Sequence, residues 1–423
     1  MTAPIDKLPE ELLSKIISFL PLKFAISTSV LSKKWENAWK IIPSVCIVYR
    51  GDESSAIPIT SNMHRLTTEK ISTFHLRVDR VPKRDNDVDD CLCFFMMVKP
   101  ENMVLRFIGS DHEYSFMDEF FDNGSIKRLI VEHPHMKPMP KPVSWCSLRS
   151  LALYCPYLPQ QALDNILVGC PVMRSLTLHQ CEDQLVYFDL REAPSVENLD
   201  IDMMYWNHDV SDAAVKIEAP NIRYLRLSIA SPCVLVDVSS LKEAKLNISN
   251  IRWLTKVEDF LPAMMLKLQN VKKLTFGSTF LDVLSSSLAQ VHDFPFPTFK
   301  VEDLTLETMI LESLLPGIGR LLQNSPALKH LTVDVVKQPE EEADHVPVHS
   351  FIHLLRLLNV KTLKTVVIRL GGYVAESEFD NLKRITHEHI GQQNTVSIVL
   401  EPRVVVRSFT SLFDDTACPD HGT

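Results

Sequence analysis

Histidine pairs are the residues of this sequence that most readily suggest chemistry. His349 and His353 are four residues apart on a segment whose apolar spacing predicts a helix, so both imidazoles share a helix face; His387 and His389 flank Glu388. Imidazole is a common zinc ligand, but a zinc site needs three or four ligands, and neither pair has an HExxH-type third ligand nearby. We therefore predict no metal site and interpret these histidines as solvated or capping residues.

Other catalytic patterns are incomplete. Gly317 and Gly319 begin a GxG pattern, but the third glycine of a dinucleotide loop is missing and a predicted helix, not a strand, precedes it. The sequence contains no GxSxG elbow or P-loop, and neither Cys91 nor Cys93 has a histidine beside it. We predict no catalytic residues, no cofactor and no enzymatic activity. The alternative is an enzyme whose site is assembled from distant residues.

Composition narrows the class of protein. The chain has 423 residues, of which 45% are hydrophobic and 23% charged, so it is predicted to be globular with more than one core unit. Its formal net charge of -9 argues against general affinity for nucleic acid or anionic membrane. No stretch approaches the ~20 apolar residues that cross a bilayer, and the N-terminus lacks a signal-like pattern. We expect a cytoplasmic or nuclear protein whose partners are proteins.

The first forty-five residues predict three short helices. Pro9 suits the first turn of a helix, Glu10 and Glu11 favour its positive end, and Pro21 stops it. A second helical stretch follows, and Ser32 is a candidate N-cap for a third. A unit this small buries too little of its surface to hide two tryptophans and about ten aliphatic residues. Part of this apolar surface should therefore bind another molecule, such as a helical partner.

The sequence of this segment resembles that of a known protein family. The run LPEELLSKIISFLP from Leu8 to Pro21, then TSVLSKKW from Thr28 to Trp35, resembles the plant-type F-box. Members of that family bind a Skp-family adaptor and, through it, a cullin-RING ubiquitin ligase. The resemblance implies that the adaptor-binding residues are Leu8, Pro9, Leu12, Ile16, Ala25, Val30, Leu31, Trp35 and Trp39.

Three positions depart from the usual F-box wording. Phe24 stands where an aspartate is common, and Lys34 and Glu36 replace arginines. The alternative is therefore that the F-box is degenerate and no longer binds the adaptor. The protein would then act as an interaction scaffold that is not part of a ubiquitin ligase.

A second pattern recurs from residue 71 onward. An apolar residue is followed by others three and five positions later, and the steps between successive units run from 19 to 35 residues, in or near the leucine-rich-repeat range of ~20–29. Each unit offers one strand whose alternate residues enter a shared core, so units must stack to bury it. The middle residues are Phe74, Leu105, Leu129, Leu151, Leu176, Leu199, Leu225, Ala244, Leu274, Leu304, Leu331 and Val366.

The resemblance extends through these repeats. GCPVMRSLTLHQC, from Gly169 to Cys181, looks like a repeat of plant F-box proteins that carry leucine-rich repeats, and the segment from Leu363 is similar to their C-terminal FBD segment. The predicted fold class is α/β: a three-helix F-box followed by a curved leucine-rich-repeat solenoid. The predicted domains are an F-box (1–45), a connector (46–70), the solenoid (71–340), a terminal repeat or FBD-like segment (341–406) and a flexible tail (407–423).

The strand residues between the core positions should form a concave, mildly acidic surface. Polar residues are required on any exposed strand face, so a purely solvating role is the alternative. If it is a recognition surface, it would bind a target protein. In the SCF-type ligase that the resemblance implies, this target would be ubiquitinated. The predicted target-binding residues are Tyr154, His179, Asp200, Asp202, Tyr224, Arg226 and Glu307.

Overall fold

The structure of the chain is a computed structural model. The chain forms two compact units, one containing the described residues up to 181 and the other those from 185 onward. The predicted tail, residues 407–423, lies outside the described residues. The structure describes residues 8–49, 63–67, 71–79, 86–108, 114, 116–132, 142–155, 157–181, 185–203, 214–248, 257–290, 295–336, 348–358, 363–370, 376–390 and 397–402.

Three short helices open the first unit. They are α1 (Glu10–Ile17), α2 (Leu22–Ser27) and α3 (Trp35–Ala38), with 3₁₀ turns at Thr28–Val30 and Trp39–Ile41. The carbonyl of Pro9 accepts bonds from the N–H groups of Leu12 and Leu13 at 3.1 Å, so the proline begins α1 as predicted. The helix ends earlier than its apolar pattern suggested, because the N–H of Leu20 bonds the carbonyl of Ile17 and tightens the chain before Pro21.

Six parallel strands follow in the first unit, hydrogen-bonded in chain order. The strands are β1 (Ser44–Tyr49), β2 (Thr73–Val78), β3 (Asn102–Phe107), β4 (Arg128–Glu132), β5 (Ser150–Tyr154) and β6 (Ser175–His179). In four of them, β1, β2, β3 and β6, buried core-facing residues alternate with half-exposed ones, which confirms the predicted repeat pattern; in β4 and β5 some outward-facing residues are buried as well. Three helices, α4 (Asn86–Val98), α5 (Asp118–Phe121) and α6 (Gln160–Gly169), lie in the connections.

The sheet begins earlier than the predicted domain boundaries. β1 starts within the segment assigned to the F-box and continues into the predicted connector, residues 46–70, yet it pairs with β2 from Ser44–Thr73 to Tyr49–Val78. A parallel bridge joins Pro21, just before α2, to Cys46 in β1. The alternation of Val45, Ile47 and Tyr49 places these side chains in the core. The helices therefore pass directly into the first strand, which spans the predicted boundary at 45.

The second unit contains eight more parallel strands, again in chain order and in register. Its helices are α7 (Val257–Leu268), α8 (Ser278–Gln290), α9 (Leu315–Gln323), α10 (Val348–Leu357) and α11 (Glu376–Ile390), with a 3₁₀ turn at Glu312–Leu314. The strands, named here with the numbering of the whole chain, are β8 (Asn198–Met203), β10 (Tyr224–Ile229), β12 (Glu243–Ile248), β13 (Lys273–Gly277), β14 (Asp303–Thr308), β15 (His330–Val335), β16 (Thr365–Leu370) and β17 (Ser397–Pro402).

A second, three-stranded parallel sheet in this unit was only partly foreseen. The spare apolar triad around Phe188 forms β7 (Tyr187–Asp189), which pairs with β9 (Val215–Glu218), and β9 pairs with β11 (Cys233–Asp237). Sequence reasoning missed β9 and β11 because they precede and follow β10 without a triad of their own. With this addition the α/β repeat class is confirmed.

Backbone bonds at the start of many of the strands keep the repeats in register. The carbonyl of Lys127, for example, accepts bonds from the N–H groups of Arg149 and Ser150 at 2.8 and 3.2 Å. Gly169 at the end of α6 approaches the preceding segment closely, since a Cβ there would lie 1.9 Å from the carbonyl oxygen of Val143. Among the described helices, none has the length and apolar character required to cross a bilayer.

Candidate adaptor-binding and target-binding surfaces

Helix α1 carries two apolar stripes with different exposure. Leu13 and Ile17, four residues apart, are fully buried at 0% exposure. Leu12 and Ile16 form the neighbouring stripe, and 49% and 43% of their surface remains exposed. One stripe holds the helix against the rest of the unit, and the other is an apolar surface that the described residues leave uncovered.

Exposed apolar side chains are concentrated in the N-terminal helices. Seven of the sixteen large apolar side chains that are exposed among the described residues lie between positions 12 and 41, which is a small fraction of the chain. Such a concentration is typical of a protein-binding surface rather than of ordinary scattered exposure. The seven are Leu12, Ile16, Phe19, Phe24, Val30, Leu31 and Ile41.

Three of the predicted adaptor-binding residues lie in the interior instead. Ala25, Trp35 and Trp39 are buried, with Trp39 only 2% exposed. The guanidinium carbon of Arg65 lies 5.5 Å from the centroid of the Trp39 ring, which covers the indole from the connector side. The prediction that these three residues contact the adaptor is therefore corrected. A unit this small needs its tryptophans to form its own core, and the family motif does not distinguish core residues from adaptor-contacting residues.

The remaining predicted residues stay accessible. Pro9, Val30 and Leu31 are exposed and Leu8 is half-buried, and Leu12 and Ile16 on α1 are also open to solvent. The carbonyl of Leu8 accepts a bond from the ammonium group of Lys34, which ties the start of α1 to the start of α3. One of the three departures from the F-box wording thus contributes a structural contact.

The outer strand face of the first unit has an apolar centre. Ile130 and Ala152 are buried although strand alternation directs them away from the core of Leu129 and Leu151, and they pack with Tyr154 and Val104. Tyr154, a predicted target-binding residue, is only 7% exposed, so it offers little of its surface to a partner in this structure. Short apolar side chains in neighbouring strands let the tyrosine ring lie against the sheet.

Polar groups surround that apolar centre. The ring of His179 meets the ring of Tyr154 edge-on at 5.1 Å, and Arg106 Nε lies 3.1 Å from Glu132 Oε1. His75, in register beside Val104, has its pKa lowered to about 4 by burial, and then by two nearby arginines. The histidine is therefore neutral at physiological pH, and this face presents an apolar centre with a charged rim.

On the second unit, three predicted target-binding residues form one ion-pair cluster. Arg226 on β10 lies between Asp200 and Asp202 on β8, with Nη1–Oδ1 at 3.0 Å and Nη2–Oδ2 at 3.3 Å. All three side chains are about a quarter exposed. Burial, then the Asp200 carboxylate, raises the pKa of Tyr224 two residues before the arginine. The structure thus brings four of the seven predicted residues together.

Glu307 belongs to a second pair on the same face. Lys245 Nζ on β12 reaches across β13 to Glu307 Oε1 on β14 at 2.7 Å. This reach is possible because the intervening strand presents Thr275 and Gly277, and the Asn247 side chain occupies the space above the glycine. The sequence analysis predicted Glu307 but not Lys245. Nothing in the sequence distinguishes this lysine from other polar residues that lie between two core positions.

Comparison with known proteins agrees with this architecture. Residues 5–46 match the F-box domain family, and residues 63–369 match the family described as "At1g61320/AtMIF1, LRR domain". The chain belongs to the F-box/LRR-repeat proteins. The leucine-rich-repeat match begins just before β2 and ends inside β16.

Full-length relatives support the same assignment. The F-box/LRR-repeat chain is 39% identical over 342 residues to the F-box/LRR-repeat protein At5g02910 of Arabidopsis thaliana, covering 79% of this chain and 72% of that protein. It is 33% identical over 450 residues to the F-box/LRR-repeat protein At3g03360 of the same plant, covering 94% and 91%. The similarity therefore spans the helices and the strands together.

A pocket on the helix side of this F-box/LRR-repeat chain was not predicted. It encloses about 740 Å³ between α4 and α5 and is lined by sulfur-containing and polar side chains. The Cys93 thiol lies 3.4 Å from the Met117 sulfur, and partial burial, then the Asp89 and Glu119 carboxylates, raises the pKa of that thiol. A thiol held protonated is a poor nucleophile, whereas flexible methionines suit a binding surface.

Proposed function

We propose that this protein is the substrate-recognition subunit of an SCF-type (Skp–cullin–F-box) E3 ubiquitin ligase. Its N-terminal helices bind a Skp-family adaptor, which connects the chain to a cullin-RING ligase, and its strand faces bind a target protein. The chain itself carries out no reaction, since ubiquitin transfer takes place on other subunits. It acts in the cytoplasm or the nucleus, and nucleic acids and membranes are not among its partners.

The single observation that supports adaptor binding is the uncovered apolar surface of the first helices. Leu12 and Ile16 lie beside the fully buried stripe of Leu13 and Ile17, so the helix is already anchored without them. An adaptor that covers them would remove apolar area from water at no cost to the fold. Membership in the F-box family, whose domains generally bind Skp1-type adaptors, agrees with this assignment.

Target recognition is assigned to the strand faces. The second unit offers fixed charges, in which the Asp200–Arg226–Asp202 cluster and the Lys245–Glu307 pair hold one another in place. Preorganised charges favour specificity, because a partner with the wrong charges leaves them unpaired. We further assign residues 341–406 as a terminal repeat or FBD-like segment, in which β16 and β17 continue the parallel sheet and α11 lies in the connection between them.

The adaptor assignment is tested by capture. Full-length chain co-expressed with a Skp-family adaptor should elute with it as a one-to-one complex, and addition of a cullin-RING module should give ubiquitination that depends on the chain. Failure to capture the adaptor at micromolar concentration would favour the alternative, a scaffold with a degenerate F-box. In that case Phe24→Asp would be the first substitution to test, because Phe24 is exposed on α2 at a position where aspartate is common in F-boxes.

The target assignment is tested by proximity labelling with and without a charge-neutral cluster. Asp200→Asn, Asp202→Asn and Arg226→Gln together keep polar side chains on the strands but remove the charges. This triple variant should lose specific neighbours while its adaptor capture is unchanged, because the neutral side chains can still hydrogen-bond to one another and the adaptor-binding helices belong to the other unit. Arg226→Ala alone is a poorer probe, since it leaves two carboxylates facing each other. Equal loss of adaptor and neighbours would show that the sheet had been damaged.

A further inference from the structure

A group of three potential metal ligands lies on the second unit, away from the strand faces. It consists of Glu312, in the 3₁₀ turn before α9, with His349 and His353 on α10. Each side chain offers one ligand atom, and these atoms all lie within 4.8 Å of one another. The local sequence contained only the histidine pair, and the fold supplies the missing third ligand from a separate element.

The distances are close to those of a bound ion. The imidazole rings of His349 and His353 have centroids 4.3 Å apart and are tilted by 54°, and His353 Nδ1 lies 3.8 Å from Glu312 Oε1. Zinc bonds of ~2.1 Å at tetrahedral angles place neighbouring ligand atoms ~3.4 Å apart. Small rotations about the side-chain bonds are therefore enough to bring the three groups onto one ion.

The backbone that carries these ligands is firmly held. On α10 the residues between and beyond the two histidines include Phe351 and Leu354, both buried in the core, and Leu314 is buried two residues after Glu312. The histidines therefore project from the outer side of an anchored helix, toward a turn that is anchored as well. Fixed ligand positions reduce the ordering cost of binding a metal.

Direct attraction among the three side chains does not explain well why they lie so close together. The 3.8 Å separation of His353 Nδ1 and Glu312 Oε1 is too long for a hydrogen bond, and both groups are substantially exposed, so an ion pair there contributes little. Two neutral imidazoles and one carboxylate instead form a donor set that suits a divalent ion.

We propose that Glu312, His349 and His353 form a zinc-binding site that fastens α10 to the turn before α9. Two histidines and a glutamate supply three of the four ligands of a tetrahedral zinc site, and the exposed side of the group admits water as the fourth. Imidazole ligands favour zinc over calcium and magnesium, which prefer oxygen. The role of the ion is structural: it links two elements of neighbouring repeats.

The test uses untagged, full-length chain, because a histidine tag would itself bind zinc. Calorimetric titration with zinc chloride should show one ion per chain, and zinc should raise the midpoint of thermal unfolding, whereas magnesium should not. Cobalt should bind with the visible absorption of a tetrahedral site. His353→Gln should weaken zinc binding by at least about tenfold, the scale on which even second-shell changes act.

Matched variants separate ligation from general effects. His353→Cys should retain zinc binding because a thiolate is also a zinc ligand, and Glu312→Gln should weaken binding as His353→Gln does. His330→Gln, which changes an exposed histidine on β15 outside the group, should bind zinc like the unchanged chain. Unchanged affinity in both His353→Gln and Glu312→Gln, or an equal loss in His330→Gln, would overturn the proposal.

Discussion

The two apolar stripes of α1 allow adaptor binding to be separated from folding on a single helix. We predict that Leu12→Ala with Ile16→Ala weakens adaptor binding and lowers the midpoint of thermal unfolding much less than the same change in the buried stripe of Leu13 and Ile17. The reason is their exposure: about half of each residue remains accessible, so a partner can still cover it and less of it already stabilises the fold.

The expected loss follows from the exposed fractions. Burying a whole leucine or isoleucine side chain is worth roughly 2 kcal/mol. With 49% of Leu12 and 43% of Ile16 exposed, a partner that covers both gains about 1 kcal/mol from each. The double change should therefore cost ~2 kcal/mol of binding free energy, which is about a thirtyfold increase in Kd at ~1.4 kcal/mol per factor of ten.

The matched control lies one position along the same helix. Leu13→Ala with Ile17→Ala removes the same number of atoms from the fully buried stripe, where each change should cost ~2–5 kcal/mol of stability. Kd would be measured by calorimetry against a purified Skp-family adaptor, and unfolding by differential scanning fluorimetry. The reasoning fails if the outer pair lowers the unfolding midpoint as much as the inner pair, or if it changes Kd by less than about twofold.

Three further predictions concern packing, pH and the start of α1. Gly169→Ala should destabilise the chain by ~1–3 kcal/mol in chemical denaturation because its Cβ would overlap a backbone carbonyl, whereas Gly124→Ala, whose nearest neighbour is 3.8 Å away, should be nearly neutral. Burial lowers the pKa of His75 from 6.5 to about 4, so the unfolded chain binds the proton more readily than the folded chain does. The free energy of unfolding should therefore fall by up to ~3 kcal/mol as the pH is lowered from 6.5 to 4. His75→Gln should remove this part of the pH dependence of stability. Leu8→Ala with Pro9→Ala should reduce adaptor capture at least tenfold without altering unfolding of the strands, and retained capture would contradict a working F-box.

The repeat architecture was predictable because each unit repeats the same physical requirement. A short strand must bury alternate residues against its neighbours, so the triads around Leu151, Leu176 and Leu304 are visible without knowledge of the fold. The second sheet was less visible, because β9 has only four residues and β11 pairs with β9 through a register shift near Leu235. A strand that is very short or irregularly paired offers too few regular alternations to identify.

The binding surfaces were predicted less well than the fold, because exposure depends on the neighbours of a residue. Leu12 and Leu13 are adjacent and identical in type, yet one is half exposed and the other fully buried. Likewise, Trp39 fits the F-box wording but fills the interior, and Glu312 gains two histidine neighbours only through packing of distant turns. Residue type and spacing identify the face of an element, while tertiary packing decides whether that face is free.

The junction between α2 and β1 determines which perturbations of the F-box can be interpreted. Deleting the first 45 residues would remove Ser44 and Val45 from β1, break the Pro21–Cys46 bridge and leave Thr73 and Phe74 at the start of β2 without their partners. An unpaired, half-buried strand edge promotes aggregation, so such a truncation would lower target capture even if the F-box bound only the adaptor. Substitutions on the outer stripe of α1 leave β1 paired. They therefore separate the two binding activities where a deletion cannot.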